Sequence, residues 1–204
     1  MLAESVRVLS GTSVRFSELN ALRLVIHLVG DVHQPVHVGC AYIDESGNVA
    51  KLIHDPDQAD GLQSDRGGGR LLLPASMSLH GYWDSRLGSV NADGGHDHEF
   101  TSPGLKQHFV QKLRALTASL PEHQAELLQD SPDRWGEKWA TESLIAAREA
   151  YHSLRIVGQK DNRGNFKVSW EGKTQYDERC GPIANDRLAA AVKRLAALLN
   201  AIFG

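Results

Sequence analysis

A mainly α fold, one helical domain with a few short strands and long loops, is what the 204-residue sequence predicts. Three features point to it. Apolar residues recur at i, i+3, i+4 and i+7 in the longer segments. Extended runs are confined to RLLLP at 70–74 and NFKVSW at 165–170. The stretches 44–69 and 91–104 are rich in Asp, Gly and Pro, and neither an internal repeat nor a linker divides the chain.

The first residues, MLAESVRVLSGTSVRF, read as the inside of an amphipathic helix, with no signal peptide visible in them. Residues 17–33 form the next helix: Ser17 can cap it, and Leu22, Val25, Ile26 and Val29 follow the helical rule. Leu24 and Leu28 lie on the other side, which predicts a helix apolar nearly all round and buried. Pro35 ends it. Residues 44–69 read as a loop finishing in DRGGGR, RLLLP as a short extended run, and 77–87 as a helix carrying LHGYWD. Beyond the loop 91–104, Leu105, Phe109, Leu113 and Leu116 mark one amphipathic face. Residues 133–156, with Trp135 and Trp139, mark another. DNRGN at 161–165 is a turn before the short strand NFKVSW. Leu188, Val192, Leu195, Leu199 and Ile202 then define a last helix over about 185–203.

Hydrophobic content of 41% and charged content of 23% are ordinary for a globular protein. The net charge of −3 argues against a broad electrostatic grip on nucleic acid or anionic membrane, so any handling of phosphate needs a local cation. The longest apolar run is far short of the roughly 20 residues that a membrane span requires. Cys40 and Cys180 fit one disulfide or two separate thiols equally well, and two cysteines are too few to read a compartment from.

The unusual component is histidine, of which there are 10. His27 and Asp31 are four apart on a helix and therefore project from one face. An unpaired buried polar group costs on the order of 1–3 kcal/mol, and a divalent cation satisfies a histidine and a carboxylate together. His80 and Asp84 repeat the spacing on a second helix, and His37 adds a fifth candidate ligand. One such pair is most often a simple hydrogen bond. Two, set in GDVHQP and LHGYWD, are a far more specific signal, and their nitrogen and oxygen donors suit zinc.

In that order, HLVGDVHQPVH, DRGGG and SLHGYWDS resemble the zinc-dependent single-strand nucleases of fungi and the bifunctional nucleases of plants, in the zinc phospholipase C/nuclease superfamily. WATES at 139–143 and the terminal helix resemble family segments too, so the likeness covers nearly the whole chain. It implies a helical domain of the phospholipase C/nuclease type and up to three zinc ions. His27 and Asp31 would ligate the first, and Asp31 would be the catalytic carboxylate shared with a further metal. His37, His80 and Asp84 would bind the second. His33 would stand behind them, holding a ligand or a backbone carbonyl. The implied activity is a phosphodiesterase that hydrolyses single-stranded DNA or RNA to 5′-nucleotides, often with 3′-nucleotidase activity, through water activated by the metals. Secretion or a periplasmic location is implied as well.

The sequence also departs from that family. Its remaining ligands would come from a free N-terminal tryptophan and from histidine and aspartate residues ahead of GDVHQP, yet residues 1–26 contain no His, Asp or Trp. The expectation is therefore a chain truncated at its N-terminus, in which only the His37, His80, Asp84 site is complete. Gly69 stands where the family has asparagine, and the segment 40–64 is longer than usual. Two rivals follow: an inactive remnant keeping one zinc for structure, and a phospholipase C-like phosphoesterase.

Other features have plainer readings. His96 and His98 around Asp97, in GGHDHEF, and His54 in IHDPD read more naturally as solvated residues than as ligands. DRGGGR reads as a flexible turn that Asp65 can order. Trp83, Trp135 and Trp139 read as core, Glu142 as either a support to the site or a surface charge, and the terminal helix as packing.

Overall fold

Ser17 opens the helix that carries the first motif: its hydroxyl accepts from the Asn20 amide at 3.3 Å, the expected N-cap arrangement. In the computed structural model, which describes residues 1–47, 50–85, 87, 103–119 and 130–204, this helix, α2, spans Glu18–His33 and follows α1, Leu2–Leu9. Its inward stripe is Ala21, Val25, Val29 and His33, four residues apart. Ile26 and Leu19 are 51% and 58% exposed, so the expectation of a helix buried all round is corrected. Ile26 lies about 100° round the helix from Val25, outside the stripe that packs on α1.

The helix stops at His33, and Pro35 then starts another, α3 (Pro35–Val38), with Gln34 as its cap. A proline at the first helical position loses no hydrogen bond there. Residues 44–69, read as loop, include strands. β1 (Tyr42–Asp44) pairs antiparallel with both β2 (Lys51–Ile53) and β3 (Gln63–Ser64). Three residues with only Ile43 buried are too short a run for alternation to be seen.

β4 (Leu71–Leu72) falls within RLLLP, and α4 (Leu79–Ser85) within the predicted 77–87. α5 is Pro103–Ser119, in which Leu113 and Leu116 are half-buried. The side chains of Leu105 and Phe109, and the loop residues His96, Asp97 and His98, lie outside the described residues. α6 (Trp135–Tyr151) is followed by β5 (Arg155–Ile156) and β6 (Phe166–Ser169). β6 sits between β4, which it pairs in parallel, and β5, which it pairs antiparallel.

The last helix, α7, is longer than the sequence suggests, running Lys173–Phe203 straight through Pro182. A proline inside a helix costs about 3 kcal/mol, and packing offsets it. Tyr176 and Cys180 are fully buried. The Tyr176 hydroxyl donates to the Ala150 carbonyl at 2.8 Å and accepts from the Trp83 indole at 2.9 Å.

Two clusters of buried side chains result. One joins Leu71, Leu79, Trp83, Leu154, Phe166 and Tyr176 around the β4–β6–β5 sheet. The other joins Val6, Val25, Val29, Trp135, Trp139 and Leu198 among α1, α2, α6 and α7. The fold is mainly α, and Trp83, Trp135 and Trp139 belong to its core. Cys40 and Cys180 are both free thiols. Among the described residues no helix is long and apolar enough to cross a membrane.

Candidate metal centre

Five side chains from α2, α3 and α4 meet in an unbroken chain of alternating imidazoles and carboxylates. His27 Nε2 lies 3.1 Å from Asp31 Oδ2, and the other Asp31 oxygen lies 3.3 Å from His37 Nδ1. His37 Nε2 lies 3.1 Å from Asp84 Oδ1, and His80 Nε2 lies 3.4 Å from Asp84 Oδ2. The rings of His37 and His80 stack, centroids 4.5 Å apart and 12° from parallel. The i, i+4 spacings on α2 and α4 put each pair on one helical face, and α3 delivers the histidine that joins them.

Ligand atoms of His37, His80 and Asp84 lie within 4.8 Å of one another, and no other group of three such donors occurs among the described residues. Two imidazoles and one carboxylate suit a divalent cation such as zinc, with one coordination position left open. The surroundings fit that use. His80 Nδ1 donates to the Gly67 carbonyl at 3.0 Å, which fixes the tautomer and turns Nε2 toward the group. Its hydrogen bond to Asp84 pushes His37 above the usual imidazole range. Burial works to raise the Asp84 carboxyl, but hydrogen bonds from His37 and Gln34 and two imidazole charges outweigh it and hold the carboxyl low. An ionised Asp84 is the state in which a carboxylate ligates.

Gln34 is a residue that sequence reasoning missed. Its Oε1 accepts from the amides of Val36 at 2.6 Å and His37 at 3.2 Å, capping α3. Its Nε2 donates to Asp84 Oδ1 at 2.8 Å. One side chain thus starts the helix of His37 and holds the carboxylate of α4. The signal available was a polar residue directly before a proline at a helix start.

The DRGGG turn is packed rather than flexible, and Asp65 orders it, as the sequence allowed. Asp65, fully buried, accepts from the amides of Ala41 at 3.1 Å and Gly68 at 3.0 Å. Burial, only partly offset by these bonds, lifts its carboxyl to about 6. Arg66, Gly67 and Gly68 all have positive φ, from 59° to 79°. A Cβ at Gly67 would sit 2.1 Å from the Val36 carbonyl oxygen, and one at Gly68 2.8 Å from Leu79. Gly67 therefore lies against the α3 backbone and Gly68 against the Leu79 side chain of α4, and at these positive-φ positions only glycine fits.

His33 faces away from these five. Buried at 1% exposure, it places Nδ1 2.7 Å from the Val29 carbonyl and Nε2 3.1 Å from Arg194 Nη1. A guanidinium only donates, so Nε2 must accept and Nδ1 must carry the proton. Burial and the charges of Arg187 and Arg194 push it down to about 3. What it holds is the backbone of its own helix, not a ligand side chain.

Behind His33 lies a second group that the sequence left unresolved. Glu142 binds Arg194 through both oxygens, at 2.7 and 2.8 Å, and Arg187 at 2.7 Å. Burial works to raise Glu142, but the two guanidiniums outweigh it and draw it down to about 2. Arg187 also donates to Ser143 Oγ at 2.9 Å and to the His33 carbonyl at 3.4 Å, while Ser143 donates to the Val32 carbonyl at 2.6 Å. These bonds satisfy carbonyls that the end of α2 leaves without helical partners. The last helix is therefore more than packing. Arg187 and Arg194, seven apart, share its inward face, a spacing that was legible beforehand. His54, exposed and set against the Tyr151 ring, joins no donor group among the described residues.

Two clefts open onto this chain, bordered between them by Asp31, His37, His80 and Asp84. One, of about 230 Å³, is bordered by Gln34, Trp83, Asp84 and Leu188. The other, of about 750 Å³, is bordered by Cys40, Arg66, His37 and His80.

Comparison with known proteins is consistent with this arrangement. A sequence model of the family described as S1/P1 Nuclease matches residues 2–204. Endonuclease 2 of Arabidopsis thaliana is 26% identical over 204 residues, covering 98% of this chain and 57% of that protein. Endonuclease 1 of the same plant is 27% identical over 198 residues, covering 95% and 53%. Endonuclease 4 is 23% identical over 194 residues, covering 95% and 54%. The chain spans about half the length of these curated relatives.

Proposed function

This chain belongs to the S1/P1 nuclease family, and from that premise we propose that it is a zinc-dependent phosphodiesterase acting on single-stranded DNA or RNA to give 5′-nucleotides. The observation that carries the reading is the convergence of His37, His80 and Asp84, each supported from behind by Gln34 or the Gly67 carbonyl. These three residues would hold one zinc, and His27 with Asp31 would contribute to a further one, Asp31 also serving a third metal as a shared carboxylate. When bound, zinc supplies Lewis acidity, neutralising charge on a phosphoryl group and acidifying water.

The protein's own part is orientation. Gln34 holds Asp84 and the start of α3 in one geometry, and the Gly67 carbonyl keeps His80 in the tautomer that leaves Nε2 free for the metal. The bonds to the Val32 and His33 carbonyls fix the end of α2, and with it Asp31. The 750 Å³ cleft leaves room for a nucleotide beside His37 and His80. Secretion or periplasmic export belongs to the same reading.

A second reading, a helical module keeping one zinc for structure alone, draws on one observation: His27 is 70% exposed, and its contact among the described side chains is Asp31. One experiment separates the two. Zinc per chain and cleavage of a labelled single-stranded DNA are measured for the wild type and for Asp84→Ala, with a phosphatidylcholine analogue as a second substrate. The nuclease reading expects DNA cleavage that Asp84→Ala abolishes together with zinc. Zinc whose removal unfolds a protein that cleaves neither substrate supports the structural module, and cleavage of the lipid analogue alone supports a phospholipase. Full DNA cleavage by Asp84→Ala sinks the metal assignment.

A further inference from the structure

Arg66 takes no part in the contacts described so far, although it sits on the turn that orients His80. It is held at φ +59°, in the left-handed region that non-glycine residues rarely occupy, and it is exposed. It borders the 750 Å³ cleft together with His37, Gly67 and His80. Nearby carboxylates are engaged elsewhere. Asp65 is spent on the Ala41 and Gly68 amides, Asp133 pairs with Arg7, and Glu137 lies 3.7 Å from Arg134. Among the described residues no carboxylate pairs with the Arg66 guanidinium. By contrast, Arg70 at the other end of the same turn donates to Gln63 at 2.6 Å.

A left-handed arginine on an otherwise glycine turn is costly to keep, and its cation faces a cleft beside a cluster of metal-type donors. The chain's net charge of −3 provides no diffuse attraction for a polyanion, so a phosphate must be gripped by a cation placed locally. A guanidinium presents paired donors that match two phosphate oxygens.

We infer that Arg66 is a phosphate-binding residue: it holds the phosphodiester flanking the one seated at His37, His80 and Asp84. The inference rests on the nuclease reading above and adds to it a subsite for the polynucleotide backbone. The left-handed turn aims the side chain into the cleft, while the Gly67 carbonyl stays committed to His80. A mononucleotide lacks the flanking phosphodiester, so the residue favours a strand over a single nucleotide.

The test is binding of a short fluorescein-labelled oligothymidylate to the zinc-loaded protein, followed by anisotropy across salt concentrations. Arg66→Asn removes the charge with a residue that tolerates left-handed backbone, and Arg66→Lys keeps it. Losing one phosphate contact makes the slope of log K against log salt shallower by about 0.7. That change is expected in Arg66→Asn with zinc content unaltered, and Arg66→Lys is expected to restore the slope. An unaltered slope and affinity in Arg66→Asn, with a wild type that binds and cleaves the strand, overturns the subsite and leaves the nuclease reading standing. A wild type that neither binds nor cleaves the strand overturns both.

Discussion

The two ends of the His27–Asp31–His37–Asp84–His80 chain are built differently. At the His80 end every donor is held from behind: His80 by the Gly67 carbonyl, Asp84 by Gln34, and the turn supplying Gly67 by the buried Asp65. At the other end His27 is 70% exposed and, among the described residues, bonded only within its own helix turn, to Asp31. Both ends have the same i, i+4 histidine–aspartate spacing, so spacing alone does not make a rigid site. What separates them is backbone from elsewhere in the chain pressed against one pair and not the other.

Breaking the close backbone approach should have the largest effect. Gly67→Ala sets a Cβ 2.1 Å from the Val36 oxygen at a φ of +60°. The left-handed penalty and the overpacking together amount to roughly 4 kcal/mol. Urea denaturation should show that loss, and zinc affinity should fall with it because His80 loses its anchor. Stability within about 1 kcal/mol of wild type would mean that the turn is looser than its contacts imply.

Acidity probes the same contrast, and the buried Asp65 and the half-buried Glu142 respond with opposite sign. Asp65 is raised to about 6 in the folded chain. The folded state thus binds the extra proton, and stability falls as pH rises from about 4 to 6, by up to about 3 kcal/mol. Glu142 is lowered to about 2, so its contribution is present above about 4.5 and is lost as pH falls toward 2. Denaturation midpoints measured from pH 2 to 7 should show Asp65→Asn flattening the upper window and Glu142→Gln the lower one. If Asp65→Asn keeps the wild-type slope between pH 4 and 6, the buried Asp65 is not what tunes the turn.

The difference between the ends also explains what the sequence made legible. The five candidate residues could be picked out because helical spacing places side chains on a common face whatever the tertiary context. The helical class was visible for the same reason. The supports were not, because they are backbone groups or long-range pairs. The Gly67 carbonyl has no side-chain signature, and Arg187 and Arg194 meet Glu142 across 45 and 52 residues of sequence. The continuation of α7 through Pro182 depended on Tyr176 reaching Trp83 and Ala150, a contact that local propensity cannot contain. Ile26 shows the converse failure. Periodicity assigned it inward, but a hydrophobic stripe has edges, and which edge faces a neighbour is decided only when α1 packs.

Gln34→Ala sharpens the comparison at intermediate size. It removes the α3 cap and the hold on Asp84, which should cost about 1–2 kcal/mol of stability. Loss of a residue orienting a ligand typically lowers metal affinity about 10- to 100-fold. Competition with a zinc-binding dye measures that directly. Gln34→Glu is the informative partner, since it keeps the cap oxygen but sets a second carboxylate against Asp84. It should retain most of the stability and change the zinc affinity. Equal behaviour of the two variants would place the effect in the helix cap alone.

The smallest effect belongs to His27→Ala, and its smallness is what the comparison turns on. An exposed side chain whose one contact among the described residues is Asp31 in the same helix contributes less than about 0.5 kcal/mol. Removing it leaves Asp31 facing His37 and does not touch Gln34, Gly67 or Asp84. Thermal denaturation should therefore be nearly unchanged, and zinc bound at the His37, His80, Asp84 end should be retained in full on dialysis. A second, more weakly held zinc, if the wild type binds one, should disappear in this variant alone. Loss of the tightly held zinc would instead mean that the two ends act as one site, with Asp31 transmitting the change through His37 and no independent locked half.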